Sequence, residues 1–178
     1  MAQQPTVQLG EICLRLEVRE RDARYVLEQG HIPKGVDGAP DSGNYRQFGP
    51  GQAFWLGMVL KLKAIGIQTP LAAKIANDAE ESLRTVTQNL GWDWRFRPLA
   101  GSFDTAHQYY VDVGDLKYIR IVTDANPSRA GRLQEFPWRA AEVPHQATKN
   151  VHPCAVIRLD LTQIARLLAG AFKIAEVD

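Results

Sequence analysis

Residues 7–32 carry two short stretches in which apolar residues recur every three or four positions, the spacing of one helix face. The apolar residues of the first stretch are Leu9, Ile12, Cys13 and Leu16. The second stretch runs from about Glu20 to Gln29, with Gly30 placed to end a helix, and its apolar residues are Ala23, Val26 and Leu27. The pattern predicts two short helices joined by a turn of about three residues around Val18, as in a helix-turn-helix.

A turn-rich loop, a short strand and two longer helices are predicted next. Residues 33–44 combine Pro, Gly, Asp, Ser and Asn, which favour turns, and the YRQF that follows alternates as a strand does. Pro50 is placed at the start of a strongly apolar helix, where its missing N–H is tolerated. Thr69 is predicted to cap a further helix that begins with Pro70 and runs to about Asn89.

The pattern changes from helical to strand-like near Gly91. WDWRF alternates aromatic with charged residues, and QYYVDVGDLKYIRIVTD predicts a hairpin around Gly114-Asp115. Residues 129–153 are predicted to be irregular, with room for one short element. CAVIRLDL predicts another strand, and a closing helix follows, capped by Thr162. The expected fold is α+β, with a helical domain at 1–90 and a strand-rich α+β domain at 92–178.

Composition narrows the functional classes without naming one. The 178 residues are 45% hydrophobic with a net charge of +1, so the overall charge does not indicate nucleic-acid binding. The chain has no run of about 18 apolar residues and no signal-peptide pattern. Its two cysteines, Cys13 and Cys154, have no paired spacing, which favours reduced thiols in the cytoplasm.

Motifs for catalysis or metal binding are missing from the sequence. The four histidines fit no metal-ligand or catalytic spacing, and Cys13 lies on the apolar face of its helix, where a core role is expected. The chain has no carboxylate pair, glycine-rich phosphate loop or nucleophile motif. We therefore expect no enzymatic activity, no cofactor and no metal.

Several short motifs occur in one order between Leu9 and Pro50. The first half contains Leu9-Gly10-Glu11, then Val18, then Arg21, Arg24 and Tyr25, then Glu28, Gly30 and Ile32. The second half contains Ser42-Gly43, Tyr45-Arg46, Phe48 and Pro50, with Asn44 inserted before the tyrosine. Because the motifs occur in this order, the segment of about residues 7–76 resembles the DNA-binding domain of the MerR family. The long dimerising helix and the metal-sensing cysteines found in members of that family have no counterpart here.

The resemblance implies a winged helix-turn-helix that binds double-stranded DNA. The helix at about 20–29 would enter the major groove, and residues 33–48 would form the wing that contacts the backbone. Arg21 and Arg24 are three residues apart and so share one face of that helix. The implied DNA-binding residues are Arg19, Arg21, Arg24, Tyr25, Lys34, Tyr45 and Arg46.

Each of these residues also has a structural interpretation. The arginines are equally typical of a solvated face paired with Glu17, Glu20 and Glu28. Tyr25 is also typical of a half-buried core residue, and Lys34, beside Pro and Gly, is typical of an exposed side chain without a binding role. A hairpin packed on the helices needs Tyr45 and the aromatic after it but gives Arg46 no role.

The aromatic residues of the second half have three interpretations. They can line a small-molecule pocket, form a sheet core or form a dimer face. The residues are Trp92, Trp94, Phe96, Tyr109, Tyr110, Tyr118, Phe136 and Trp138.

Three functions follow from these observations. The first is a transcriptional regulator that binds a palindromic site as a homodimer through residues 92–178, under a small-molecule or protein effector, and is cytoplasmic and nucleoid-associated. The second is an architectural or assembly DNA-binding protein of the phage or plasmid type, which recruits a protein through its C-terminal half. The third is a protein-interaction module that does not bind DNA, favoured by the near-zero net charge.

Overall fold

The protein has a mixed α+β architecture, as its sequence predicts. The computed structural model describes residues 6–32, 46–89, 102–104, 107–124, 132–140, 148, 150–172 and 175–177. Within these residues, none of the helices combines the length and apolar character needed to cross a membrane.

Helices α1 (Leu9–Leu16) and α2 (Glu20–Glu28) form where the apolar pattern predicts them. Helix α1 ends because Glu17 takes a left-handed backbone conformation, with φ at 54°, which brings the N–H of Val18 to within 3.0 Å of the Cys13 carbonyl oxygen. The buried residues are those of the predicted faces: Ile12, Cys13, Leu16, Ala23, Val26 and Leu27.

Two very short strands link the start of α1 to the segment just before Pro50, where the third helix begins. Strand β1 (Val7–Gln8) pairs antiparallel with β2 (Gln47–Phe48), and Val7 lies opposite Phe48. Phe48 is fully buried, so an aromatic side chain anchors this pairing in the core. The predicted loop at 33–44 and Tyr45 lie outside the described residues.

Helices α3 (Pro50–Ala64) and α4 (Thr69–Asn89) form the centre of the N-terminal half. As predicted, α3 begins at Pro50, and the Gln52 side-chain oxygen accepts the N–H of Gly49 at 2.7 Å. The prediction that Thr69 caps α4 was wrong by one residue. The Gln68 carbonyl accepts the N–H of Ala72 at 2.9 Å, so Thr69 is already helical.

The predicted hairpin consists of β4 (Tyr109–Gly114) and β5 (Tyr118–Thr123). Its two left-handed turn residues, Asp115 and Leu116 with φ at 48° and 57°, begin one position later than predicted. The Lys117 N–H donates to the Gly114 carbonyl at 3.0 Å and closes the turn.

The hairpin is the centre of a larger antiparallel sheet. The strand order is β6 (Gln134–Glu135), β5, β4 and β8 (Val156–Asp160), with β7 (Arg139–Ala140) also paired to β5. Residues 129–153 thus contribute two short strands, one more element than the sequence pattern indicates.

A separate parallel pair joins β3 (Ser102–Asp104) and β9 (Ala175–Val177). The sequence pattern did not predict either strand.

Helix α5 (Leu161–Phe172) follows β8 directly. The prediction that Thr162 caps it was wrong, because the Asp160 carboxylate accepts the N–H of Gln163 at 2.8 Å and takes the capping role. Thr162 is instead buried, and its hydroxyl accepts the N–H of Tyr109 at 2.8 Å and donates to the carbonyl of His107. Thr162 therefore links α5 to the sheet.

The described parts of both predicted domains contribute to one apolar core. Helix α5 packs against α1 and α3, and α4 packs against β5. At Gly57 of α3, an added Cβ would lie 3.0 Å from Ile164 Cγ2 on α5 and 3.2 Å from Leu16 Cδ1 on α1. The predicted boundary near Gly91 lies outside the described residues, so the division into two domains stays a prediction.

The three-helix contact at Gly57 predicts a position-specific loss of stability. Gly57→Leu would force α1 and α5 away from α3, and overpacking of this kind costs roughly 1–3 kcal/mol of unfolding free energy. Chemical denaturation measures the loss. Gly51→Leu is the matched control, because a Cβ on exposed Gly51 of the same helix would contact nothing within 4 Å. Equal stability of the two variants would contradict the packing of these helices.

Helix α4 carries two buried polar atoms without partners among the described residues. Asp78 and Ser82 lie one turn apart, and Asp78 Oδ2 and Ser82 Oγ are buried without a hydrogen bond. Burial raises the pKa of Asp78 to about 6, and the nearby positive charge of Lys74 only partly opposes this. The native state therefore favours the protonated carboxyl more than the unfolded state does.

It follows that Asp78 destabilises the protein increasingly as pH rises from near 4 to about 6. Asp78→Asn should raise the free energy of unfolding, measured by denaturant titration at about pH 7.5, by on the order of 1 kcal/mol after allowance for solvent screening, with the gain vanishing near pH 4. Glu80→Gln, which removes an exposed carboxylate from the same helix, should show no such gain. A pH-independent effect of Asp78→Asn would refute burial of the carboxylate as the cause of the instability.

Candidate nucleic-acid interface

Helix α2 presents an exposed stripe of four residues, which we call the α2 stripe: Arg21, Arg24, Tyr25 and Glu28. Their spacing of three and four residues places them on one side of the helix, opposite the buried side chains that face the core. Tyr25 is 48% exposed, and both arginines are exposed. Two guanidinium groups and a phenol therefore share one solvent-facing surface.

The arginines of this surface differ in their ion pairing among the described residues, since Arg24 is paired and Arg19 and Arg21 are not. Arg24 donates from Nη2 and Nε to Oε1 of Glu20, at 2.5 and 3.0 Å, across one helical turn. Arg19, the residue before α2, is also exposed. Neither Arg19 nor Arg21 forms an ion pair with a residue that the structure describes. The structural interpretation of a paired, solvated face thus applies to Arg24 and not to Arg21.

A lysine from α3 completes this surface. Lys63 Nζ lies 3.4 Å from Asp22 Oδ1 on α2 and 5.4 Å from the centre of the Tyr25 ring. Lys61, two residues earlier, donates to the Leu16 carbonyl at the end of α1, with a distance of 2.7 Å. Sequence reasoning missed both lysines, because only the packing of α3 on α1 and α2 brings them here.

The remaining predicted contacts are not on α2. Arg46 precedes the Gln47–Gln8 pair, so it lies by register beside the start of α1. Its side chain is half-buried, and its Nε is buried without a hydrogen-bond partner among the described residues. Lys34 and Tyr45 lie outside the described residues.

Cys13 is a core residue, as its helical position predicts. It is 3% exposed, and burial raises the pKa of its thiol to about 11, helped by the negative charge of Glu20 and opposed by Arg24. A thiol with this pKa is protonated at neutral pH and is a poor nucleophile or metal ligand. In the described part of the chain, no cluster of three or more His, Cys, Asp or Glu residues is arranged to hold a metal ion.

The sheet carries a second charged group, which we call the Asp112 cluster: Asp112, Arg120, Glu135 and Arg158. Fully buried Asp112 accepts from Nε of Arg120 at 2.9 Å and from Nε and Nη2 of Arg158 at 2.6 and 2.8 Å. Burial alone would raise the pKa of Asp112, but the hydrogen bonds from the two arginines outweigh it and hold the pKa below its usual value.

The Asp112 cluster is better suited to holding strands together than to binding an anion. Arg120 also donates to Glu135 at 2.5 Å, so two carboxylates balance the two guanidinium groups. Trp138 covers the Arg120 guanidinium at 4.5 Å, and Tyr110 lies 5.3 Å from that of Arg158. The cluster is neutral as a whole and both of its guanidinium groups are already bound, whereas Arg21 on α2 has no ion-pair partner among the described residues. This difference makes the α2 surface the stronger candidate for a polyanion.

The aromatic residues of the second half that the structure describes lie in different surroundings. Tyr109 is fully buried in the core and Phe136 packs against that core, whereas Tyr110 and Trp138 stack on arginines. Trp92, Trp94 and Phe96 lie outside the described residues.

Comparisons of the chain with protein-family models, with curated protein sequences and with solved structures find no match.

Proposed function

We propose that this protein is a sequence-specific DNA-binding transcriptional regulator that places α2 in the major groove. The observation that carries the proposal is the α2 stripe, in which Arg21 and Arg24 share a solvent-facing surface on a helix whose opposite face is fully packed. An α-helix with its side chains is about 10–12 Å across, which fits the major groove, about 12 Å wide.

The helices and strands around α2 agree with a winged helix-turn-helix. Helix α1, a three-residue turn and α2 occur in the order that the resemblance of residues 7–76 to MerR-family DNA-binding domains requires. Under the proposal, the antiparallel pair of β1 and β2 would form the base of the wing. In this proposal Arg46, and Lys34 and Tyr45 from the wing, contact the DNA backbone.

The chemistry of the surface assigns different tasks to its residues. Arg21 offers a planar fork of donors, the geometry that recognises a phosphate or the O6 and N7 of guanine. Arg19, exposed at the start of α2, adds positive charge at the flank of the surface, where the phosphates pass. Since the net charge of the chain is only +1, affinity must come from this local surface rather than from a long-range field.

A homodimer formed through residues 92–178 belongs to the same proposal. Two copies of α2 related by twofold symmetry would read a palindromic site. Its support in the C-terminal half is that Leu116 and Val156, which are 41 and 48% exposed, both lie near Gly114 at one end of the sheet.

Removal of the two stripe arginines tests the proposal. Arg21→Ala combined with Arg24→Ala should weaken binding to a duplex selected from genomic DNA by roughly tenfold or more at fixed salt, because each arginine contact contributes about 1–3 kcal/mol. The slope of log affinity against log salt concentration should also become shallower by about 1 for each phosphate that is no longer bound. Fluorescence anisotropy between about 50 and 200 mM salt measures both quantities.

The control removes two exposed positive charges from other helices instead. Arg15→Ala combined with Lys74→Ala changes α1 and α4 outside the α2 stripe and outside residues 92–178, and it should leave affinity and salt slope near those of the unmodified protein. If both double variants bind every duplex equally, α2 is not the DNA-binding element.

A further inference from the structure

Glu20 accepts hydrogen bonds from the edge of the Arg24 guanidinium group that a phosphate would bind. Its Oε1 accepts from both Nε and Nη2 of Arg24, at 3.0 and 2.5 Å. These two donors form the edge of a guanidinium group that binds a phosphate in bidentate fashion. A carboxylate and a phosphate cannot hold this edge at the same time, so the two compete for Arg24.

The pair is accessible to such a competitor. The side chain of Arg24 is 62% exposed and that of Glu20 is 43% exposed, so neither is buried in the core. Exposed ion pairs of this kind are weak and are further weakened by salt. A DNA backbone, with its dense line of phosphates, is able to displace Glu20.

Glu20 also lies close to α1. A Cβ added at Gly10, near the start of α1, would lie 3.6 Å from Oε2 of Glu20, and the charge of Glu20 contributes to the raised pKa of Cys13. Because Glu20 belongs to the first turn of α2, its carboxylate remains near the interface after it loses its partner. There it would repel the phosphates as well.

We propose that Glu20 is an intramolecular competitor that lowers the affinity of this protein for DNA by holding Arg24. The inference rests on the proposed function. In the free protein Glu20 holds Arg24, and every duplex must displace it before Arg24 binds. This cost is the same for every sequence, so a duplex needs further contacts, such as base contacts to Arg21, to bind tightly in spite of it.

Removal of the Glu20 charge tests the competition. Glu20→Gln should tighten binding to a duplex of random sequence by roughly two- to fivefold at low salt, the range expected from the strength of an exposed ion pair. Binding to a selected duplex should tighten by about the same factor, because the cost of displacing Glu20 does not depend on the DNA sequence. Anisotropy titrations of both duplexes measure these changes, and thermal unfolding checks that the variant is folded.

Two single variants separate competition from a general charge effect. Glu11→Gln breaks an equivalent pair on α1, where Glu11 Oε1 accepts from Arg15 Nε at 2.8 Å, and it should leave DNA affinity unchanged. Glu28→Gln removes a carboxylate from the α2 stripe that pairs with no cation in the described residues. It should give a smaller gain than Glu20→Gln.

A double-mutant cycle with Arg24→Ala gives the decisive result. When Arg24 is absent, Glu20 has nothing to compete for, so the gain from Glu20→Gln should fall to that from Glu28→Gln. An equal gain in both backgrounds, or a loss of affinity on Glu20→Gln, overturns the inference while the proposed function stands. If the unmodified protein and all variants show no salt-dependent DNA binding, the proposed function fails, and the inference fails with it.

Discussion

The close contact of α1, α3 and α5 at Gly57 is the constraint on which the candidate interface depends. Leu16 of α1 and Ile164 of α5 both approach the helix backbone there, so closely that a Cβ at this position would force them to shift by a few tenths of an ångström. Helix α2 follows α1 after three residues and packs on α3, so its orientation is set by this contact. The exposed direction of the α2 stripe is therefore determined partly by α5, from the far end of the chain.

Charge pairing distinguishes the two polar surfaces of the molecule. In the Asp112 cluster each guanidinium group is bound by the buried carboxylate of Asp112 and lies against an aromatic ring. Positive and negative charges balance there. On α2 the pairs are exposed and incomplete, since Glu20 holds Arg24 while Arg21 has no ion-pair partner among the described residues. Saturated arginines stabilise a fold, whereas exposed arginines remain available to an external anion.

Local sequence pattern was sufficient where an element depends on its own residues. Both short N-terminal helices and the central hairpin follow from periodicity, and the start of α3 follows from proline chemistry. The pattern failed where a distant partner decides the outcome. Thr162 faces the sheet and leaves capping to Asp160, and β3 pairs with a strand more than 70 residues away.

The same distinction holds for the candidate site, where only the features that depend on α2 alone could be predicted. The exposure of Arg21, Arg24 and Tyr25 follows from the helical period, which also places the buried face of α2. The approach of Lys63 to Asp22 and the partial burial of Arg46 depend on how α3 and β2 pack, and no spacing in the sequence encodes them.

Amide chemical shifts recorded while a DNA duplex is added give the most direct test of DNA binding through α2. If α2 binds DNA, a duplex selected from genomic fragments should perturb residues 19–28 and the neighbourhood of Lys63 and Arg46. The outer sheet residues around Asp112 should remain unaffected. Perturbations centred on the Asp112 cluster, or none at saturating DNA, would contradict DNA binding through α2.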